Sequence, residues 1–97
     1  NMIVSMLLVI IELPDMESIK DKRRIVHSLR DRVIRKFRAS VAEVDLEESL
    51  TFSQLGVAVV SNDRRHGERV IQRVLEFIEH HAPGRVQEVQ THSEIYT

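Results

Sequence analysis

The chain has 97 residues, with 14 Lys and Arg, 15 Asp and Glu, five His and no Cys, for a formal net charge of −1. That length holds one domain with one modest core. The lack of Cys excludes a disulfide scaffold, a Cys-based zinc site and a thiol nucleophile, and it fits a reducing compartment. A composition that is 42% hydrophobic and 30% charged is that of a folded domain rather than a disordered or membrane-spanning chain.

The longest apolar run, Met6 to Ile11, is far shorter than the roughly 20 residues that span a bilayer. It also lacks a positive n-region and a small-residue cleavage site, so it does not read as a secretory signal. A cytoplasmic protein with no membrane partner is expected. Asn1 reads as a cloning remnant before a natural Met2.

Met2 to Leu13 is the first predicted strand. Both of its parities are apolar, with Ile3, Leu7, Val9 and Ile11 on one face and Val4, Met6, Leu8 and Ile10 on the other. Pro14-Asp15 ends it. Ser18 to about Arg38 is a helix with Ser18 as N-cap and Asp21 completing a capping-box-like pattern. Ile19, Ile25, Val26, Leu29, Val33 and Phe37 share one arc. Lys20, Arg23, Arg24, His27, Arg35 and Arg38 lie on the opposite arc. Ser40 to about Glu48 is a second, half-covered edge strand, in which Ala42, Val44 and Leu46 alternate with Glu43, Asp45 and Glu47. Gln54 to Ser61 is a third strand, apolar on both faces. Asn62-Asp63 caps a second helix that runs to about His81, with Val70, Ile71, Val74, Leu75 and Ile78 as its core stripe. Val86 to Ile95 is a mostly polar fourth strand.

The order βαββαβ predicts an α+β, ferredoxin-like two-layer sandwich, with a four-stranded antiparallel sheet and two helices on one face. Strands one and three are expected in the centre as parallel neighbours, with two and four at the edges. Since both helices cover the same face, the other face should carry an apolar patch. Val4, Met6, Leu8, Ile10, Ala58 and Val60 are its candidate interface residues, with Glu43, Asp45 and Glu47 as a polar rim. A second copy packed sheet to sheet is the simplest partner.

Parallel central strands would set both helix starts at one end of the sheet. The first helix opens with Lys20, Lys22, Arg23 and Arg24, and the second with Arg64 and Arg65. Cations in a first turn oppose the helix dipole at about 0.3–1 kcal/mol each. Two helices making that choice together suggest an anion site, with phosphate of RNA or of a nucleotide as the candidate ligand. The competing reading is a solvated basic face balanced by Asp15, Glu17, Asp21 and Asp63. Lys22 falls inside the apolar arc. It is expected to snorkel past the sheet end; the alternative is a fixed cation aimed at an anion or a buried carboxylate.

The net charge conceals blocks of opposite sign. Residues 18–38 carry nine cations and two acids, and residues 39–63 carry five acids and no cation. Overall neutrality therefore limits indiscriminate polyanion binding without excluding a local basic face. None of the five His forms an H-x-x-x-H or HExxH pair, so no metal site is expected. No G-x-S-x-G or phosphate-cradling glycine loop occurs, and neither an enzyme nor a cofactor is expected. An RNA-recognition motif shares this topology but stacks bases on aromatics of its central strands. Here the aromatics are Phe37, Phe52, Phe77 and Tyr96. A small anionic-ligand sensor of the same topology is a further alternative, weakened by the lack of glycine in the turn from Leu13 to Glu17.

The stretch Ser18-Ile-Lys20-Asp-Lys22-Arg23-Arg24, with Ser28-Leu29 and Arg32, resembles the bacterial YlxP-like family (domain of unknown function 503). The likeness continues through Phe37, Ser40-Val41-Ala42-Glu43-Val44 and Leu55-Gly56-Val57-Ala58-Val59-Val60, and covers nearly the whole chain after Asn1. Arg38-Ala39 departs from the small polar step common at that place. The resemblance implies a ferredoxin-like fold. It also implies a role linked to translation or the ribosome, because members are often encoded near genes for translation initiation and ribosome maturation. It carries over no catalytic residue.

Overall fold

In the computed structural model, which describes residues 1–97, strand β1 (Ile3–Glu12) leads into helix α1 (Ile19–Phe37). The short β2 (Ser40–Glu43) and long β3 (Phe52–Ser61) follow, then helix α2 (Arg64–His81) and strand β4 (Arg85–Ile95). The sheet order is β2-β3-β1-β4, and every neighbouring pair is antiparallel. The two strands that are apolar on both faces are the central pair, as their composition requires.

The odd residues of β1 and β3 face the helices. Leu7, Val9 and Ile11 of β1 and Leu55 and Val57 of β3 are buried there against Val26, Leu29 and Val33 of α1 and Ile71, Val74 and Ile78 of α2. The even residues Val4, Met6, Leu8 and Ile10 are half-buried on the open face. The helix ends are set by side chains. Ser18 Oγ accepts from the Asp21 amide at 3.1 Å, and Asp63 Oδ1 accepts from the Arg65 amide at 2.9 Å. Arg38 closes α1 in the left-handed conformation, φ 53°, with its amide on Ile34 O. No helix is long and apolar enough to cross a membrane.

Two expectations are corrected. First, β1 and β3 are antiparallel, not parallel: Ile3 pairs with Ser61 and Glu12 with Phe52. The crossover through α1 returns β2 parallel to β1, and the β2–β3 hairpin then reverses direction. A β3 lying between β1 and β2 must oppose both. The start of α1 and the start of α2 therefore lie at opposite ends of the sheet, roughly 30 Å apart along ten-residue strands. Second, β2 stops at Glu43. Asp45 and Leu46 are left-handed, with φ 53° and 54°, and turn the chain out of the sheet although the alternating pattern continues to Glu47.

Helix α2 approaches β1 closely at Gly67, which is buried in its first turns. A Cβ there would collide with Ser5 Oγ, which itself lies 3.2 Å from Ser93 Oγ of β4. Gly67→Ala is expected to destabilise the fold by about 1–3 kcal/mol from overpacking, less up to ~1 kcal/mol of helix propensity. The measurement is urea unfolding. Adding Ser5→Ala, which removes the obstructing hydroxyl, should recover part of the loss.

Candidate nucleic-acid interface

Helix α1 is amphipathic in an unusual sense: its outer face is almost entirely of one sign. Lys20, Arg23, Arg24, Arg32, Arg35, Lys36 and Arg38 are exposed, and Arg30 is half-buried. Arg24 lies 3.8 Å from Asp21, and Arg30 lies 2.9 Å from Asp31. The other exposed cations of this segment have no carboxylate partner within 4.0 Å. The face extends for about 28 Å, the length of a 19-residue helix. Helix α2 differs. Arg65, Arg69 and Arg73 share its outer face with Glu68 and Glu76, so the charges alternate in sign.

The C-terminal end of α2 lies beside this face. A cleft of about 280 Å³ runs between the two helices, lined by Arg24, Ser28, Arg32 and His81 with Ile25, Leu29 and Pro83. Arg32 Nη2 donates to His81 Nδ1 at 3.3 Å, and the Arg32 guanidinium lies 5.3 Å from the centre of the Phe77 ring. The His81 ring lies against Phe77, 4.2 Å between centroids. Loss of water at that contact, then the positive charges of Arg32, His80 and Lys36, holds the His81 pKa below its ordinary 6.5. The neutral imidazole is what accepts from Arg32. Ser28, Arg32 and His81 were not among the candidate site residues, because the cleft joins segments about 50 positions apart.

The structure separates the six cations expected to form one site. Lys20, Arg23 and Arg24 stand on the outer face at the start of α1. Arg64 and Arg65 are exposed at the opposite end of the sheet, with Arg64 3.4 Å from Glu68. The shared basic end formed by two helix N-termini does not exist, as the antiparallel β1–β3 pair forbids it.

Lys22 belongs to neither group. Its side chain is 0% exposed rather than snorkelling outward. Its Nζ donates to Leu46 O at 2.6 Å and to Phe52 O at 2.9 Å, and lies 3.2 Å from Glu43 Oε2. Ser53 Oγ donates to the same carboxylate oxygen at 3.0 Å. Glu43 therefore points toward the helices, with its side chain 8% exposed, and is not part of the open-face rim. Lys22 closes the β2–β3 loop onto α1 and is not available to phosphate. No cluster of three or more His, Cys, Asp or Glu is placed to hold a metal ion.

On the open face, Val4, Met6, Leu8, Ile10 and Ala58 are half-buried and Val60 is 63% exposed. The strand register brings these six expected residues to one side of the sheet.

Lys22→Met is expected to cost about 3–5 kcal/mol, because it leaves Glu43 buried without its cation. Urea unfolding should show the Lys22→Met/Glu43→Leu double variant to be less destabilised than the sum of its singles. For His81, the folded state binds fewer protons than the unfolded chain. Its contribution to stability is therefore full above pH 6.5 and is lost as pH falls through the lowered folded value. An NMR titration of the imidazole should give a midpoint below 6.5, and Arg32→Ala should move it part of the way back.

The protein-family comparison matches the description "Protein of unknown function (DUF503)" over residues 4–91. Among curated proteins, the chain is 35% identical to the uncharacterized protein YlxP of Bacillus subtilis over 65 residues, which is 67% of this chain and 71% of that one. Among solved structures, it is similar to a de novo designed protein with a ferredoxin fold, determined in solution by NMR. The TM-score is 0.53 at 16% identity, covering 98% of this chain and 85% of that one. That likeness shows the fold alone: a ferredoxin-like α+β sandwich, in agreement with the strand order above. With a family match over most of its length, the chain belongs to the DUF503 family of proteins of unknown function.

Proposed function

We propose that the protein is a binding module that holds the phosphate backbone of RNA, free or in a ribosomal particle, against the outer face of α1. The observation that supports this most directly is the run of exposed α1 cations with no carboxylate partner. An ordinary solvated helix face interleaves its charges, as α2 does. Here seven exposed cations share about 28 Å with one exposed carboxylate, Asp31, an excess of like charge that polyanion binding relieves.

Each side chain has a role in this reading. Arg24 and Arg32 flank the interhelical cleft and supply planar donors for a phosphate group. Ser28 adds a hydroxyl to the cleft lining. Lys20, Arg23, Arg35 and Arg38 extend the contact along the helix. Such contacts fix position and orientation and do not read sequence. The family resemblance, with its link to translation, directs the choice of polyanion to RNA. The exposed acids Asp45, Glu47 and Glu48 of the β2–β3 loop repel the backbone from that edge and orient the contact. The reading assigns the chain no reaction of its own.

The test is fluorescence anisotropy with a labelled RNA hairpin, together with co-sedimentation with purified ribosomal subunits. Six phosphate contacts predict an affinity loss of about 300- to 1,800-fold between 50 and 200 mM salt. Arg24→Glu/Arg32→Glu should weaken binding by about tenfold or more and flatten the salt slope. Arg64→Glu/Arg65→Glu, at the other end, should have a smaller effect. Salt-insensitive binding, or equal affinity of the Arg24/Arg32 variant, overturns the reading.

A further inference from the structure

The open sheet face is uneven in a regular way. Directly paired residues of neighbouring strands share a face, so the register arranges it in rows. One row is Ser40, Ala58, Met6 and His92, and the next is Ala42, Gly56, Leu8 and Gln90. Along β1 the large side chains Val4, Met6, Leu8 and Ile10 form a ridge. Beside it, the small residues Gly56, Ala58, Ser40 and Ala42 of β3 and β2 form the low side of a hollow of about 450 Å³, which is also lined by Met6, Leu8 and Val44 and reaches Gln90 and His92 of β4.

Gly56 is the informative residue. A glycine inside a central strand weakens it, and its usual reasons are a bulge, a positive φ or the close approach of another group. The ladder is in register on both sides of Gly56, and its φ is not positive. A Cβ there would lie 3.6 Å from Val44 Cγ2 and 3.9 Å from Leu8 Cδ1, which is ordinary contact. Nothing in the single chain requires a glycine at this position. The remaining reason is a body that comes down on the face from outside.

We propose that this body is a second copy of the chain, packed face to face about a two-fold axis parallel to the strands. That rotation carries β1 of one copy over β3 of the other. The Met6–Leu8 ridge of each protomer then enters the Gly56–Ala58 hollow of its partner, and the surface is complementary to itself. The β1 and β3 columns carry no charge from Val4 to Ile10 or from Gln54 to Val60. Charged groups stand on the β4 edge, at Glu88 and Glu94, where they remain hydrated. The ten, ten and eleven residues of β1, β3 and β4 and the four of β2 cover roughly 550 Å² per copy at standard strand dimensions. Two copies bury about 1,100 Å², which clears the roughly 1,000 Å² expected of a specific interface, and aligned sheets pack about 10 Å apart. The proposal rests on side chains that α1 does not share, so it stands or falls separately from RNA binding.

Sedimentation equilibrium from roughly 1 µM to 1 mM chain tests it. The wild type should have twice the 11.3 kDa chain mass over most of that range. Gly56→Val fills the hollow and should raise the dissociation constant at least ~100-fold, with the circular dichroism spectrum of the wild type retained. Leu8→Lys, on the ridge, should do the same and serves if Gly56→Val fails to fold. A wild type that stays at 11.3 kDa up to ~1 mM overturns the proposal, whether the face is bare or takes a different protein. So does a Gly56→Val variant that associates as tightly as the wild type, the result expected of pairing through the β4 edge.

Discussion

Ten residues of β1 pair antiparallel with ten residues of β3, and both strands bury one face against the helices. This ladder sets the polarity of everything attached to it. The helix that leaves β1 starts at one end, and the helix that leaves β3 starts at the other. The two helices run antiparallel, so the C-terminal turn of α2 comes to lie beside α1. That neighbourhood builds the Arg24, Ser28, Arg32 and His81 cleft. The same ladder fixes which side chains share the open face, because a slip of one residue would exchange the two faces of each strand.

Lys22 ties the remaining piece down. The β2–β3 loop leaves the sheet through two left-handed residues, a conformation that costs energy for any side chain but glycine. The ammonium group takes the carbonyls of Leu46 and Phe52 from either end of that loop and the Glu43 carboxylate from β2. Every buried side-chain polar atom has a partner. The arrangement is a lock on loop geometry rather than a large source of stability, since desolvating both charges offsets much of their attraction.

The architecture was legible because its signals are local. Two-sided apolar strands, a Ser18 cap, an Asp63 cap and helical stripes each act within a few residues. The open-face candidates were legible for the same reason, since strand parity assigns Val4, Met6, Leu8 and Ile10 together. Strand direction was not local. It follows from the whole path β1–α1–β2–β3, and the error there misplaced Arg64 and Arg65 relative to Lys20. The role of Glu43 was also hidden, because alternation in β2 shows that its side chains point two ways without saying which way faces the helices. The apolar position of Lys22 on the helical wheel was the one sequence signal that pointed to the buried pair.

Both helices lie on one side of the sheet, and this has a thermodynamic consequence. The charged surface and the apolar surface are separated by the full thickness of a helix-on-sheet sandwich. Under the two proposals, events on the two sides would carry different signatures: counterion release on one, a negative heat-capacity change on the other. Substitutions on opposite sides fall beyond the 7–10 Å or so over which side chains couple. Ionic strength and temperature would then act as two independent controls on one small chain, and either surface could be altered by substitution while the other keeps its strength.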